Sequence, residues 1–254
     1  MYSSLFMVML ATSGLAAPLT SLNPAKRVTD PASAQVTNSD AFSDPRGGGQ
    51  NSVNDNDGNG AGTDSYTYYS GGKENFPDNT KWVNFEDMFT ANEVYMRESC
   101  ANNGWGANDS DDEIADIMSG IEAVAAASLV DHRFILAVIM QESVGCVRVP
   151  TTDNGVSNPG LMQSHDGSTY DPNNPASSIQ QMISDGTQGT TAGDGLVQGL
   201  NSYGDVYEAA RVYNSGSISS DGNLSNGNGA TPCYVSDIAN RLTGWVQAAS
   251  GCTN

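Results

Sequence analysis

The chain has 254 residues, with 29 acidic side chains against 10 basic ones and a formal charge of −19. So acidic a surface repels phosphate backbones and anionic lipid, which excludes nucleic-acid and membrane-surface binding but leaves an uncharged polysaccharide free to approach. Two histidines and four cysteines, none in Cys-x-x-Cys spacing, speak against a metal or cofactor site and for two disulfides in an oxidising compartment.

Met1 to Ala17 hold an apolar run (Leu5 to Leu10) that ends in the small pair Ala16-Ala17. The run is too short to span a bilayer and reads as a secretory signal peptide, so the mature protein is expected outside the cell. Residues 18–27 end in the dibasic pair Lys26-Arg27 and read as a propeptide. From 28 to 78 the composition shifts. GGGQNSVNDNDGNGAG, from Gly47 to Gly62, has almost nothing to bury, and the segment is expected to be disordered. Asp55, Asp57 and Asn59 stand like the start of a calcium loop, but Tyr66 occupies the place of the bidentate Glu and no helices flank the stretch. Calcium is therefore not expected there, and Tyr66, Tyr68 and Tyr69 read as part of a flexible tail.

Residues 79–254 read as one mainly helical domain. Phe85, Met88, Phe89 and Tyr95 predict a helix ending near Cys100. Ser110-Asp-Asp-Glu113 is a capping-box pattern, and Ile114, Ile117, Met118, Ile121 and Val124 follow at helical spacing. Asp131 opens a third helix through Phe134, Ile135, Val138 and Ile139. Val147 to Tyr170 reads as loops with a short hairpin. Ser177-Ser-Ile-Gln180 caps another helix, and shorter ones follow at Ala192–Leu200 and Val206–Val212. The last helix is predicted over Val235–Ala249, with Ile238, Leu242 and Trp245 on one face. A helix of that length separates Cys233 from Cys252 by roughly 25 Å. A disulfide needs Cα atoms within about 7 Å. That pairing, and with it Cys100–Cys146, is then excluded, leaving two connectivities. Asn108-Asp-Ser110 and Asn223-Leu-Ser225 match the N-glycosylation pattern, which suits secretion.

Glu142 is the informative residue. Ile135, Val138 and Glu142 stand at i, i+3 and i+7, so the carboxylate continues the apolar stripe of its helix. Desolvation there raises a carboxyl pKa and keeps the proton on, as protonation of a glycosidic oxygen requires.

Three more pieces follow Glu142-Ser143 in order: Asn158-Pro-Gly-Leu-Met-Gln163, Ala210-Arg-Val-Tyr-Asn-Ser-Gly216 and Cys233-Tyr-Val235. With them the chain resembles the soluble lytic transglycosylases and goose-type lysozymes, glycoside hydrolase family 23, in a secreted fungal branch. The resemblance covers about Asp131 to Val246 and implies a lysozyme-like, α+β fold with a small loop and hairpin lobe. It implies that Glu142 is the general acid, that Ser143 binds substrate, and that Met162 and Gln163 line the cleft. It further implies that Tyr213 orients Glu142, that Asn214 binds sugar and that Tyr234 closes the site. Of the two open connectivities it favours Cys146–Cys233 with Cys100–Cys252, which would tie the acid's helix end to Tyr234.

An inverting hydrolase needs a second carboxylate about 6.5–9.5 Å from the acid. Goose-type enzymes carry an Asp two places after Gly-Leu-Met-Gln, where this chain has His165, followed by Asp166; Asp153 is the rival. Failing both, the sugar's own C6 hydroxyl attacks and leaves a 1,6-anhydro product. The expected function is cleavage of the β-1,4 bond between N-acetylmuramic acid and N-acetylglucosamine in peptidoglycan, by a monomer without a cofactor. Chitin oligomers as substrate, and a glycan-binding protein without activity, are the alternatives.

Overall fold

The computed structural model describes residues 33–253, so the expected signal peptide and propeptide lie outside the described residues. The fold is built around helix α4 (His132–Glu142), whose residues His132 to Met140 are all buried. Asp131 caps it, its carboxylate accepting the Arg133 N–H at 2.9 Å. A helix buried on every side needs partners on every side. These are α2 (Phe85–Asn102), α3 (Asp111–Ser128) and α8 (Tyr234–Leu242). A second layer follows from α5 (Pro175–Gln188) against α3, and from α6 (Leu196–Tyr203) against α7 (Val206–Ser215). The protein is mainly α, as the sequence predicts. The expected capping box is present: the Ser110 hydroxyl accepts from Glu113 N–H, and the Glu113 carboxylate accepts from Ser110 N–H at 2.7 Å. The only sheet among the described residues is the antiparallel hairpin of β1 (Thr152–Asp153) and β2 (Ser157–Asn158), which pairs Thr152 with Asn158.

The Gly-rich segment departs from expectation. From Ser33 onward it is an ordered strap over the helices. Ala34, Val36, Ala41 and Phe76 are buried in the common core, Ala41 within the short helix α1 (Asp40–Ser43). Val36 N–H donates to Ser128 O at 2.9 Å, Gln50 N–H donates to Leu129 O at 2.8 Å, and the Asn201 carboxamide accepts from Thr37 and Asn38 N–H. Glycine here serves close approach: a Cβ on Gly47 would stand 2.1 Å from Ala41 O. The strap's low apolar content is offset by long-range backbone pairing, which composition does not reveal. Tyr66 and Tyr69 belong to this ordered strap; Tyr68 is exposed on it.

The cysteines pair as Cys100–Cys146 and Cys233–Cys252, with Cα separations of 5.2 and 5.9 Å. Both expected pairings are thereby corrected. The elimination failed because α8 stops at Leu242. Gly244, at φ +106°, turns the chain back. The N–H groups of Val246, Gln247 and Ala248 then close on Asp64 Oδ1 at 2.8, 3.0 and 3.0 Å. That return brings Cys252 to Cys233. No helix among the described residues is long and apolar enough to cross a membrane.

Candidate active site

Glu142 is the last residue of α4 and Tyr234 the first of α8, and the packing of the two helices brings their side chains together. The Tyr234 hydroxyl donates to Glu142 Oε1 at 2.6 Å. Glu142 is half-buried. Burial pushes its pKa up to about 7, against the smaller opposing pull of the Tyr234 bond, which favours the carboxylate.

Tyr213, in the last turn of α7, is the second phenol at the site. Its hydroxyl donates to Met162 O at 2.7 Å, linking α7 to the Gly-Leu-Met-Gln turn. Burial, and then the Glu142 charge, push the Tyr213 hydroxyl well above the ordinary phenol range. Glu142, Tyr213, Tyr234 and the Met162 backbone thus meet in one place, drawn from four separate stretches of the chain.

Other expected site residues have different duties. Ser143 is fully buried; its hydroxyl donates to Ile139 O at 3.0 Å and accepts from Gly145 N–H at 3.2 Å. It closes the helix end, with its hydroxyl engaged inside the protein both as donor and as acceptor. Met162 is also fully buried, its sulfur 3.7 Å from the Thr187 hydroxyl, so its side chain is core and not cleft wall. Gln163 is half-buried and braces the hairpin, donating to Pro150 O and Gly160 O and accepting from the Thr152 hydroxyl at 2.9 Å. The Asn214 carboxamide oxygen accepts from Arg211. Arg211, fully buried, also donates to Leu224 O and Thr231 O, which fixes the loop leading into Tyr234. Asp153 is exposed at the hairpin, where it accepts from Gly155 N–H, and Asp166 is exposed beside His165. Of the two glycosylation candidates, Asn108 is exposed and its side chain accepts from Ala101 N–H at 2.8 Å, while the half-buried Asn223 accepts from Gly71 and Ser225 N–H.

Sequence reasoning missed what braces Glu142 from behind. Asp237, one turn after Tyr234, accepts from the Tyr66 hydroxyl at 2.7 Å and from Gln141 Nε2 at 3.1 Å. Arg241 Nε in turn donates to Gln141 Oε1 at 3.0 Å, and its guanidinium stacks on Trp245. The strap, α8 and the residue preceding the acid are therefore one hydrogen-bonded unit. Asp237 lies one helical turn from Tyr234, a local clue; its partner Tyr66 is 171 residues away and left none.

The loop after α4 is held just as firmly. Arg148 pairs with Glu113 at 2.6 Å and Asp109 at 3.0 Å, and Tyr170 donates to Glu113. These partners hold Glu113 down to about 2, while burial lifts Asp109 to about 6. A cavity of about 510 Å3 between the strap and the end of α8, bordered by Thr67, Tyr69, Lys81 and Thr243, offers no carboxylate and none of the expected site residues. Comparison of the chain with protein-family models, with curated proteins and with solved structures gives no match.

Proposed function

We propose that the protein is a secreted glycosidase of the lytic transglycosylase and goose-type lysozyme kind, cleaving the β-1,4 bond between N-acetylmuramic acid and N-acetylglucosamine, with Glu142 as general acid. The observation that carries this reading is a half-buried carboxyl with its pKa up to about 7, held by one phenol and flanked by another. Such a group keeps its proton near neutral pH and presents it to whatever enters from the solvent side. Glu142 would give that proton to the leaving C4 oxygen as the C1–O bond breaks. Tyr234 then stabilises the carboxylate left behind, since its hydroxyl already points at Oε1.

One observation favours transglycosylation over hydrolysis. Asp153 and Asp166 are exposed, and their contacts are with their own loops: Asp153 accepts from Gly155 N–H, and Asp166 lies beside His165. An inverting mechanism needs a base to activate water, whereas intramolecular attack needs only the one carboxylate. In that step the sugar's C6 hydroxyl bonds to C1 and Glu142 takes back the proton, so no water is consumed. Mass spectrometry of digested peptidoglycan tests this: products lighter by one water than the reducing-end fragments are expected, and reducing ends alone would reassign the step to hydrolysis. Chitin shares the N-acetyl groups and linkage, so chitin oligomers belong in the same assay. Binding without any product would leave a glycan-binding protein.

A further inference from the structure

At the opposite end of α4 from Glu142 lies a second polar cluster, which the proposed chemistry does not use. His132, the first residue of the helix, is fully buried. Its Nδ1 is 2.6 Å from Gln50 Oε1. The orientation of that carboxamide is fixed twice over: Oε1 also accepts His132 N–H at 3.3 Å, and Nε2 donates to Asp57 Oδ2 at 3.1 Å. The Nδ1 atom must therefore carry the hydrogen. With that hydrogen on Nδ1, the other ring nitrogen, Nε2, is the one that offers a lone pair.

That lone pair faces Asp55 Oδ1 at 3.7 Å, and neither atom has a hydrogen-bond partner. Asp57 Oδ1 is buried without a hydrogen bond as well. Three of the buried polar side-chain atoms without a hydrogen bond among the described residues thus belong to a single cluster. Arg133 relieves Asp57 alone, and not the facing pair of His132 Nε2 and Asp55 Oδ1. Its guanidinium is engaged by Asp131 through Nη2–Oδ2 at 2.6 Å and Nε–Oδ1 at 2.9 Å, and what remains faces Asp57 at 3.3 Å. Glu122, on α3, adds its charge to that of Asp55. Two opposed acceptors in a cluster where Arg133 is the one cation among several carboxylates are costly unless something positive lies between them.

We propose that His132 Nε2 and Asp55 Oδ1 are the protein ligands at the core of a divalent-cation site joining the strap to the start of α4, with Asp57 and Glu122 as surrounding negative charge. An imidazole nitrogen selects a zinc-class ion over calcium or magnesium, which prefer oxygen donors. The Nδ1–H bond to Gln50 is the outer contact that fixes the tautomer of a metal-binding histidine. Asp55 gives the ion a way in, because its side chain is 35% exposed. The Asp55-Asn-Asp57-Gly-Asn59-Gly60 spacing lacked its closing Glu as a calcium loop; His132, distant in sequence, supplies a donor of a different kind. The inference is independent of the glycosidase reading.

The test uses the full chain stripped of metal, titrated with Zn2+, Ca2+ and Mg2+ by calorimetry and thermal unfolding. The variants are Asp55→Asn, on the half-exposed strap, and Glu142→Gln as a control at the other end of the helix. Saturable Zn2+ binding is expected, with a rise in Tm that a chelator reverses. Asp55→Asn should weaken binding about tenfold or more, and Glu142→Gln should leave it unchanged. With two histidines in the chain, the nitrogen spectrum provides a second reading that needs no variant: Zn2+ should shift Nε2 of His132 and not the half-exposed His165. Absence of saturable Zn2+ binding, Zn2+ binding indifferent to Asp55→Asn, an unmoved His132 resonance, or Ca2+ bound as tightly as Zn2+ would each overturn the assignment.

Discussion

Tyr234, the first residue of α8, donates its phenolic hydrogen to Glu142, the last residue of α4, across 2.6 Å. The bond favours the ionised form, so it opposes the burial that raises the carboxyl to about 7. Removing it must raise the pKa further. A hydrogen bond to a charged group contributes about 1.5–3 kcal/mol, and one pKa unit is about 1.4 kcal/mol. Tyr234→Phe is expected to lift Glu142 by about one unit or more, as followed by carboxyl NMR titration. An unchanged or lowered value would mean that the bond does not tune the acid.

The raised pKa of Glu142 has a cost in stability. The folded carboxyl titrates at about 7 against an ordinary value of 4.5. The folded state therefore binds the proton more tightly, and stability falls as pH rises from below the ordinary value through 7. Glu142→Gln escapes that loss. Urea unfolding should show the variant more stable than the parent at pH 8, by about 1–2 kcal/mol once solvent contact is allowed for, with the advantage gone at pH 4. An equal difference at both pH values would show that Glu142 is not buried as described.

The disulfides make a separate prediction. Peptide mapping under non-reducing conditions should recover Cys100 with Cys146 and Cys233 with Cys252. The two bridges close loops of 46 and 19 residues. In the chain-entropy account their removal costs about 4 and about 3 kcal/mol respectively. Loss of Cys233–Cys252 should also disturb Glu142, since Cys233 immediately precedes Tyr234. Recovery of a Cys146–Cys233 peptide would contradict the described return of the C-terminal segment.

The strap should resist proteolysis despite its composition. Limited digestion is expected to spare Gly47 to Gly62 in the native protein. Asn201→Ala, which removes the acceptor for Thr37 and Asn38, should cost about 1–3 kcal/mol and open the segment to cleavage. Rapid cutting of the parent protein within the Gly-rich run would show that it is a tail after all.

Helices α2, α3 and α4 were legible because local signals agree there. Asn84, Ser110 and Asp131 each cap a helix through their side chains, and apolar residues repeat at helical spacing. The last helix was read too long because Trp245 continues an apolar face, although Gly244 carries the stop. Trp245 instead folds back, its ring edge-on to Tyr66 at 5.0 Å. The Ile135–Val138 stripe does not bury Glu142, because α4 is buried all round; Glu142 stands where the central helix reaches the surface. The strap and the Tyr66–Asp237–Gln141 brace depend on contacts between residues far apart in the chain, which no local pattern encodes.

Digestion of peptidoglycan by the parent protein and by Glu142→Gln, read by mass spectrometry, tests the central claim most directly. The parent should release disaccharide fragments carrying 1,6-anhydro ends. Glu142→Gln, which keeps the shape but has no proton to give, should release none while binding the same glycan. Cleavage by Glu142→Gln at the parental rate would contradict the assignment of Glu142 as the acid.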